Sequence, residues 1–127
     1  GVKPTVTGKH WEDIAESFLK KRGLRSLKRN FHCRFGEIDL IMRDGPILVF
    51  IEVRYRRRSQ LGDGAASIDS RKKGRIEKTA AFFLAGHPQH AARACRFDVI
   101  SIGATDQDLN KNIDIGWIRD AFQAQPG

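Results

Sequence analysis

The sequence predicts a single α/β domain, a mixed β-sheet flanked by helices. Three observations carry that expectation. Apolar residues recur at helical spacing early in the chain and again after residue 70. Between and beyond those stretches they alternate, or run together, as they do in strands. The length, 127 residues, fits one core of ordinary size.

Residues 1–6 read as a loose lead-in to a domain spanning 1–127. Trp11, Ile14, Ala15, Phe18 and Leu19 form one apolar helix face, with Thr7 as N-cap and Gly23 as stop. Leu24 to Cys33 is a weakly patterned first strand. In Glu37 to Met42 the apolar residues Ile38, Leu40 and Met42 alternate. Asp44-Gly45 signals a two-residue hairpin loop. Ile47 to Val53 is apolar on both faces, as a central strand is. Gly62 and Gly64 mark a loop. Ser70 is the expected N-cap of a second helix, with Ile76, Ala80 and Phe83 on its inner side and Gly86 at its end. Phe97 to Ile102 is another buried strand, followed by a polar loop over 106–112. Ile113 to Ile115 is expected as a short strand and Trp117 to Phe122 as a short terminal helix.

Charge narrows the function. The net charge is +8 and the isoelectric point near 10.0. Of 23 basic residues, 19 fall between Ser17 and Phe97, with 7 acidic ones. They concentrate at Lys20–Arg29, Arg54–Arg58 and Arg71–Lys78. Such a field attracts polyanions, nucleic acid above all; an ordinary basic surface is the plain alternative. No apolar run approaches a membrane span and no signal peptide is visible, so the expected setting is the cytoplasm, with no membrane partner. Cys33 and Cys95 read as two thiols in a reducing compartment. Neither sits in a Cys-x-x-Cys pair, and His87 and His90 flanking Pro88 are a poor metal template.

The chemistry lies in two acids set inside apolar strands, Asp39 and Glu52. A buried carboxylate needs a cation, a donor or a metal. With Asp44-Gly45 as the loop, Arg43 pairs with Pro46, Asp39 lies opposite Phe50, and Glu37 opposite Glu52. Asp39 and Glu52 are then diagonal neighbours on one face. Arg54, two residues beyond Glu52, points the same way. Two carboxylates so placed suit Mg²⁺ or Mn²⁺, and a nearby cation suits a phosphate that gains charge. A buried ion pair of these acids with Arg54 is the plain alternative.

Gly8-x-x-x-Glu12-x-x-Ala15-x-x-Phe18-Leu19, Gly36-Glu37-Ile38-Asp39-Leu40-Ile41, Val49-Phe50-Ile51-Glu52-Val53-Arg54, Arg96-Phe97-Asp98-Val99-Ile100 and Ala121-Phe122 together resemble the YraN family. The resemblance spans residues 8–122. It implies the restriction-endonuclease-like fold of the PD-(D/E)XK nucleases, and similarity to archaeal Holliday-junction resolvases. It implies Asp39 and Glu52 as metal ligands, with Glu12 as the first-helix acid that completes many such sites. Lys72 matches a basic position recurring in the family. Two residues depart from the pattern. Arg54 stands where lysine is usual, and arginine, always charged, cannot act as a general base. Trp11 stands where glycine is usual.

The expected function is therefore DNA binding with Mg²⁺- or Mn²⁺-dependent phosphodiester hydrolysis, on branched or single-stranded DNA, with RNA left open. Asp39, Glu52 and Glu12 would hold metal and Arg54 would stabilise the phosphate. Arg56, Arg57, Arg58, Lys72, Lys73 and Arg75 would grip nucleic acid. Glu37 is a candidate neighbour of the site or a plain edge-strand surface acid, and Asp98 a satisfied structural carboxylate rather than a third metal ligand. Tyr55 would stack on a base or pack on the sheet. A homodimer is open, with Trp117, Ile118 and Phe122 as its candidate residues or as plain core. The competing readings are a non-catalytic nucleic-acid-binding module with the same fold, and a scaffold protein with a basic surface.

Overall fold

The computed structural model describes residues 8–57, 68–104 and 113–122. Helix α1 (Gly8–Lys20) leads into strands β1 (Arg25–Cys33), β2 (Gly36–Asp44) and β3 (Ile47–Arg57). Helix α2 (Ser70–Ala85) and a 3₁₀ turn (Pro88–His90) follow, then strands β4 (Cys95–Ala104) and β5 (Asp114–Phe122). The five strands form one sheet in the order β1-β2-β3-β4-β5. All neighbours are antiparallel except β3 and β4, which run parallel. A parallel pair requires a long crossover, and the segment containing α2 supplies it.

Each helix covers one sheet face. Trp11, Ala15 and Leu19 of α1 pack with Leu40, Met42, Val49, Ile51, Ile100 and Ile102. Ile76, Ala80 and Phe83 of α2 pack with Ile41, Leu48, Phe50, Phe97 and Val99. Strand β3 is thus buried on both faces, as its sequence predicts.

The stop at Gly23 has a specific cause. Gly23 takes φ 97°. Its N–H donates to the Lys20 carbonyl, and the Leu24 N–H donates to the Leu19 carbonyl, which closes α1 in a Schellman motif. Leu19 and Leu24 meet in the core behind it. The cap of α2 is Asp69 and not Ser70: the Asp69 carboxylate accepts the Lys72 N–H at 2.8 Å. That bond is the main reason its pKa lies below the usual carboxylate range.

Two further expectations are corrected. Asp44 pairs with Ile47, so the hairpin loop is Gly45-Pro46. Gly45 has φ 60°, the positive value that a type II′ loop needs at its first position. Every partner therefore moves by two residues from the expected register, which preserves which residues share a face. The expected terminal helix is absent: Trp117 to Phe122 lies within β5, where Trp117 pairs with Ile100 and Ile118 with Val99. A bulge between Phe97 and Val99, and φ 52° at Asp120, interrupt the alternation there. Thr7, residues 1–6, Gly62, Gly64 and the 106–112 loop lie outside the described residues.

Candidate functional site

The regular β2–β3 ladder ends at Leu40 and Ile51. One step further, Asp39 and Glu52 come opposite each other, and the Asp39 Oδ2 accepts the Val53 N–H at 2.8 Å. Alternation breaks at this point. Ile38 packs on the α2 side although Leu40, two residues on, packs on the α1 side. On β1 the facing position is Asn30, with φ 53°. The strands part just where the acid pair stands.

Burial first, then the neighbouring Glu52 and the Glu12 charge, push the Asp39 carboxyl up to about 8, against the opposing pull of the Val53 N–H. Near neutral pH Asp39 therefore keeps its proton unless a further cation replaces it. Glu52, largely buried, meets the Lys72 ammonium from the first turn of α2 in an ion pair. A cavity of about 560 Å³ opens here, and Asp39, Glu52, Lys72, Arg75, Glu37 and His32 are among its lining residues.

Of the expected metal ligands, the fold joins Asp39 and Glu52. Glu12 is buried on α1 but pairs with Arg29 at 3.6 Å. Arg29 also binds Asp13 and Glu16, which ties α1 to β1. Among the described residues no three His, Cys, Asp or Glu side chains stand together as a metal-binding group. Arg54 is partly buried. Desolvation is the main cause that lowers its pKa, helped by Arg56, while Glu52 opposes both.

The basic candidates divide. Lys72 and Arg75 line the cavity. Lys73 lies over the Phe122 ring of β5, at 5.8 Å, and does not line it. Arg56 is partly buried on β3, the Arg57 backbone is in β3, and Arg58 lies outside the described residues.

Other candidates have structural partners. Asp98, 1% exposed, accepts bonds from Arg96, from Trp117 Nε1 at 2.9 Å and from the Asp120 N–H at 2.9 Å. Tyr55 stacks on Trp11 with ring centres 4.2 Å apart, and its hydroxyl donates to the Ala104 carbonyl. The bulk of Trp11 is thus absorbed by packing. Trp117, Ile118 and Phe122 all pack into the cores.

Sequence reasoning missed His32 and Cys33 as cavity residues. Their signal was the pairing His32–Glu37 and Cys33–Gly36 across the β1–β2 turn, invisible until β1 is paired to β2. Gly36 is required there: its φ is 148°, and a Cβ would sit 3.3 Å from the Thr79 hydroxyl.

Fold and site together define a single-domain α/β protein of the restriction-endonuclease-like class, with paired carboxylates in a cation-flanked cavity. The chain belongs to the family described as "Uncharacterised protein family UPF0102", whose model matches residues 11–102; this is the YraN family of the sequence resemblance. A UPF0102 protein of Xanthomonas campestris pv. campestris (strain B100) is 48% identical over 112 residues, 88% of this chain and 87% of that one. One from Stutzerimonas stutzeri (strain A1501) is 44% identical over 118 residues, 93% and 95% of the two chains. One from Alcanivorax borkumensis is 43% identical over 119 residues, covering 94% and 93%.

Proposed function

We infer that this protein binds nucleic acid, DNA first, and hydrolyses its phosphodiester bonds with Mg²⁺ or Mn²⁺. One observation carries the reading: two carboxyls, Asp39 and Glu52, face each other in an open cavity whose other charged residues include Lys72 and Arg75. The donor set fits a hard divalent cation. It offers carboxylate oxygens, and burial together with the facing Glu52 charge makes an ionised Asp39 costly unless a further cation joins it. When bound, such an ion would polarise the phosphate and acidify a water.

The chain's own residues supply the rest. Asp39 is oriented by the Val53 N–H. Lys72 meets Glu52, and with a metal ion on that carboxylate it would be free to pair with a substrate phosphate. Arg75 lines the approach. Arg54, as a fixed cation, stabilises charge without taking a proton. Glu12 acts from the far side of Asp39 through its charge, with Arg29 holding it. Among the described residues no helix is long and apolar enough to cross a membrane. Cys33 and Cys95, both free thiols, suit the cytoplasm as the setting.

Two measurements test the reading: Mn²⁺ titration by calorimetry, and cleavage of labelled junction, flap, single-stranded and RNA substrates. Mn²⁺ binding lost in Glu52→Ala, with cleavage lost alongside, is the expected result. DNA binding without Mn²⁺ binding or cleavage on any substrate would leave the non-catalytic module.

A further inference from the structure

Beside the acid pair lies an aromatic surface that the function above does not use. Phe82 of α2 is 46% exposed, one of two large exposed hydrophobic residues among those described. Its ring centre lies 6.1 Å from that of Phe35 in the β1–β2 turn and 6.4 Å from that of Phe31 on β1. Phe31 continues inward to Phe83 at 5.2 Å, which anchors the cluster in the core. The Arg34 guanidinium sits over the Phe35 ring at 4.8 Å.

The cluster is joined to the cavity by α2 itself. At 3.6 residues per turn, Lys72, Arg75, Thr79 and Phe82 fall within a stripe about 80° wide. Lys72 meets Glu52 at one end. Gly36 closes on Arg75 and Thr79 in the middle, which presses the β1–β2 turn onto the helix. Phe82 ends the stripe about 15 Å from Lys72 along the axis, at 1.5 Å per residue.

A row that runs from an acid pair, past Lys72 and Arg75, to the exposed Phe82 ring and the partly buried Phe35 ring under Arg34 matches a polyanion with flat faces. Phosphates complement the cations and an unstacked base complements the rings. A base still stacked in a duplex offers its neighbours no open face. We propose that Phe82, with Phe35, is a stacking platform for an unpaired base a few nucleotides from the bond held at Asp39 and Glu52, so that the protein selects single-stranded or unpaired segments. This rests on the nuclease reading and names its substrate class.

The test is anisotropy in EDTA, so that nothing is cut, with fluorescein-labelled oligo-dT and a blunt duplex of equal length. Phe82→Ala and Phe82→Leu are each expected to weaken oligo-dT binding about tenfold, with duplex binding changed less than about twofold. Phe82→Trp is expected to keep or tighten it. Phe35→Leu, away from the helix, is expected to show the same selective loss, and melting curves confirm that each variant is folded. Unchanged oligo-dT binding in both Phe82→Ala and Phe35→Leu overturns the proposal, as does equal loss on both probes or rescue by leucine. So does a concentration-dependent dimer that Phe82→Ala dissolves, since the patch is then a self-interface. Wild-type binding to the duplex, with Phe82 irrelevant to oligo-dT, leaves the nuclease reading standing. Wild-type binding to neither probe removes both.

Discussion

Asp39→Asn is expected to make the metal-free protein more stable above neutral pH. The folded Asp39 carboxyl titrates at about 8 because of burial and the Glu52 charge. In the unfolded chain the ordinary value is about 3.9. Between these values the native state holds a proton that the unfolded state has released. Stability therefore falls as pH rises, by about 1.4 kcal/mol per unit, and levels off above the folded pKa. The accumulated cost at pH 8 is on the order of 5 kcal/mol as a ceiling. Asparagine keeps the side-chain oxygen that accepts the Val53 N–H but never ionises. Melting without metal from pH 5 to 9 should show a wild-type decline that the variant lacks. At about 4 °C per kcal/mol, that ceiling corresponds to a melting point up to about 20 °C higher for the variant at pH 8. Mn²⁺ should raise the wild-type midpoint and leave the variant unmoved. A lower midpoint for Asp39→Asn at pH 8, with no flattening of the pH profile, would refute this reasoning and make Asp39 a partner in a structural ion pair.

Other outcomes follow from the same geometry. DNA affinity measured from 50 to 200 mM salt should fall with a log–log slope of about −4 to −5, if ~4–6 phosphates are neutralised; a flat titration speaks against nucleic acid as the partner. Arg54→Lys should keep or raise Mn²⁺-dependent cleavage, whereas Arg54→Ala should lose about 100- to 1,000-fold in single-turnover rate. Equal rates in wild type and Arg54→Ala would remove Arg54 from the phosphate site. Asp98→Ala should cost about 3–5 kcal/mol in urea unfolding, because Arg96, Trp117 and the Asp120 N–H lose their shared acceptor. A loss under about 1 kcal/mol would show that water replaces it.

Much of this site was legible because it is local. Asp39 and Glu52 belong to one hairpin, and counting along it brings them opposite each other even though the alternation of β2 breaks at Asp39. The expected register was off by two because Asp44-Gly45 is a common hairpin loop, while the chain uses Gly45-Pro46. A shift of two leaves parity intact, so the pairing of the acids survived the error. The terminal helix failed for the opposite reason. Trp117 to Phe122 has no strict alternation, and only its pairing with distant β4, through a bulge, makes it a strand. Glu12 was expected to complete the metal site, but Arg29, which holds it, lies on another element. Phe31 and Phe82 are far apart in the chain, and nothing in either local pattern shows that they meet.

The two sides of the site enter folding by different routes. The acids are joined by an antiparallel hairpin with a two-residue loop, as short a closure as that between β1 and β2. Lys72 reaches Glu52 only with the long crossover that sets β4 parallel to β3. Non-local pairing of that kind is slow to form. The carboxyls are therefore expected to meet during folding before their protein cation arrives, and their repulsion to weigh on the barrier as well as on the final state. Neutralising Asp39 should then speed folding as well as slow unfolding, and the chevron arms of Asp39→Asn would divide the two contributions.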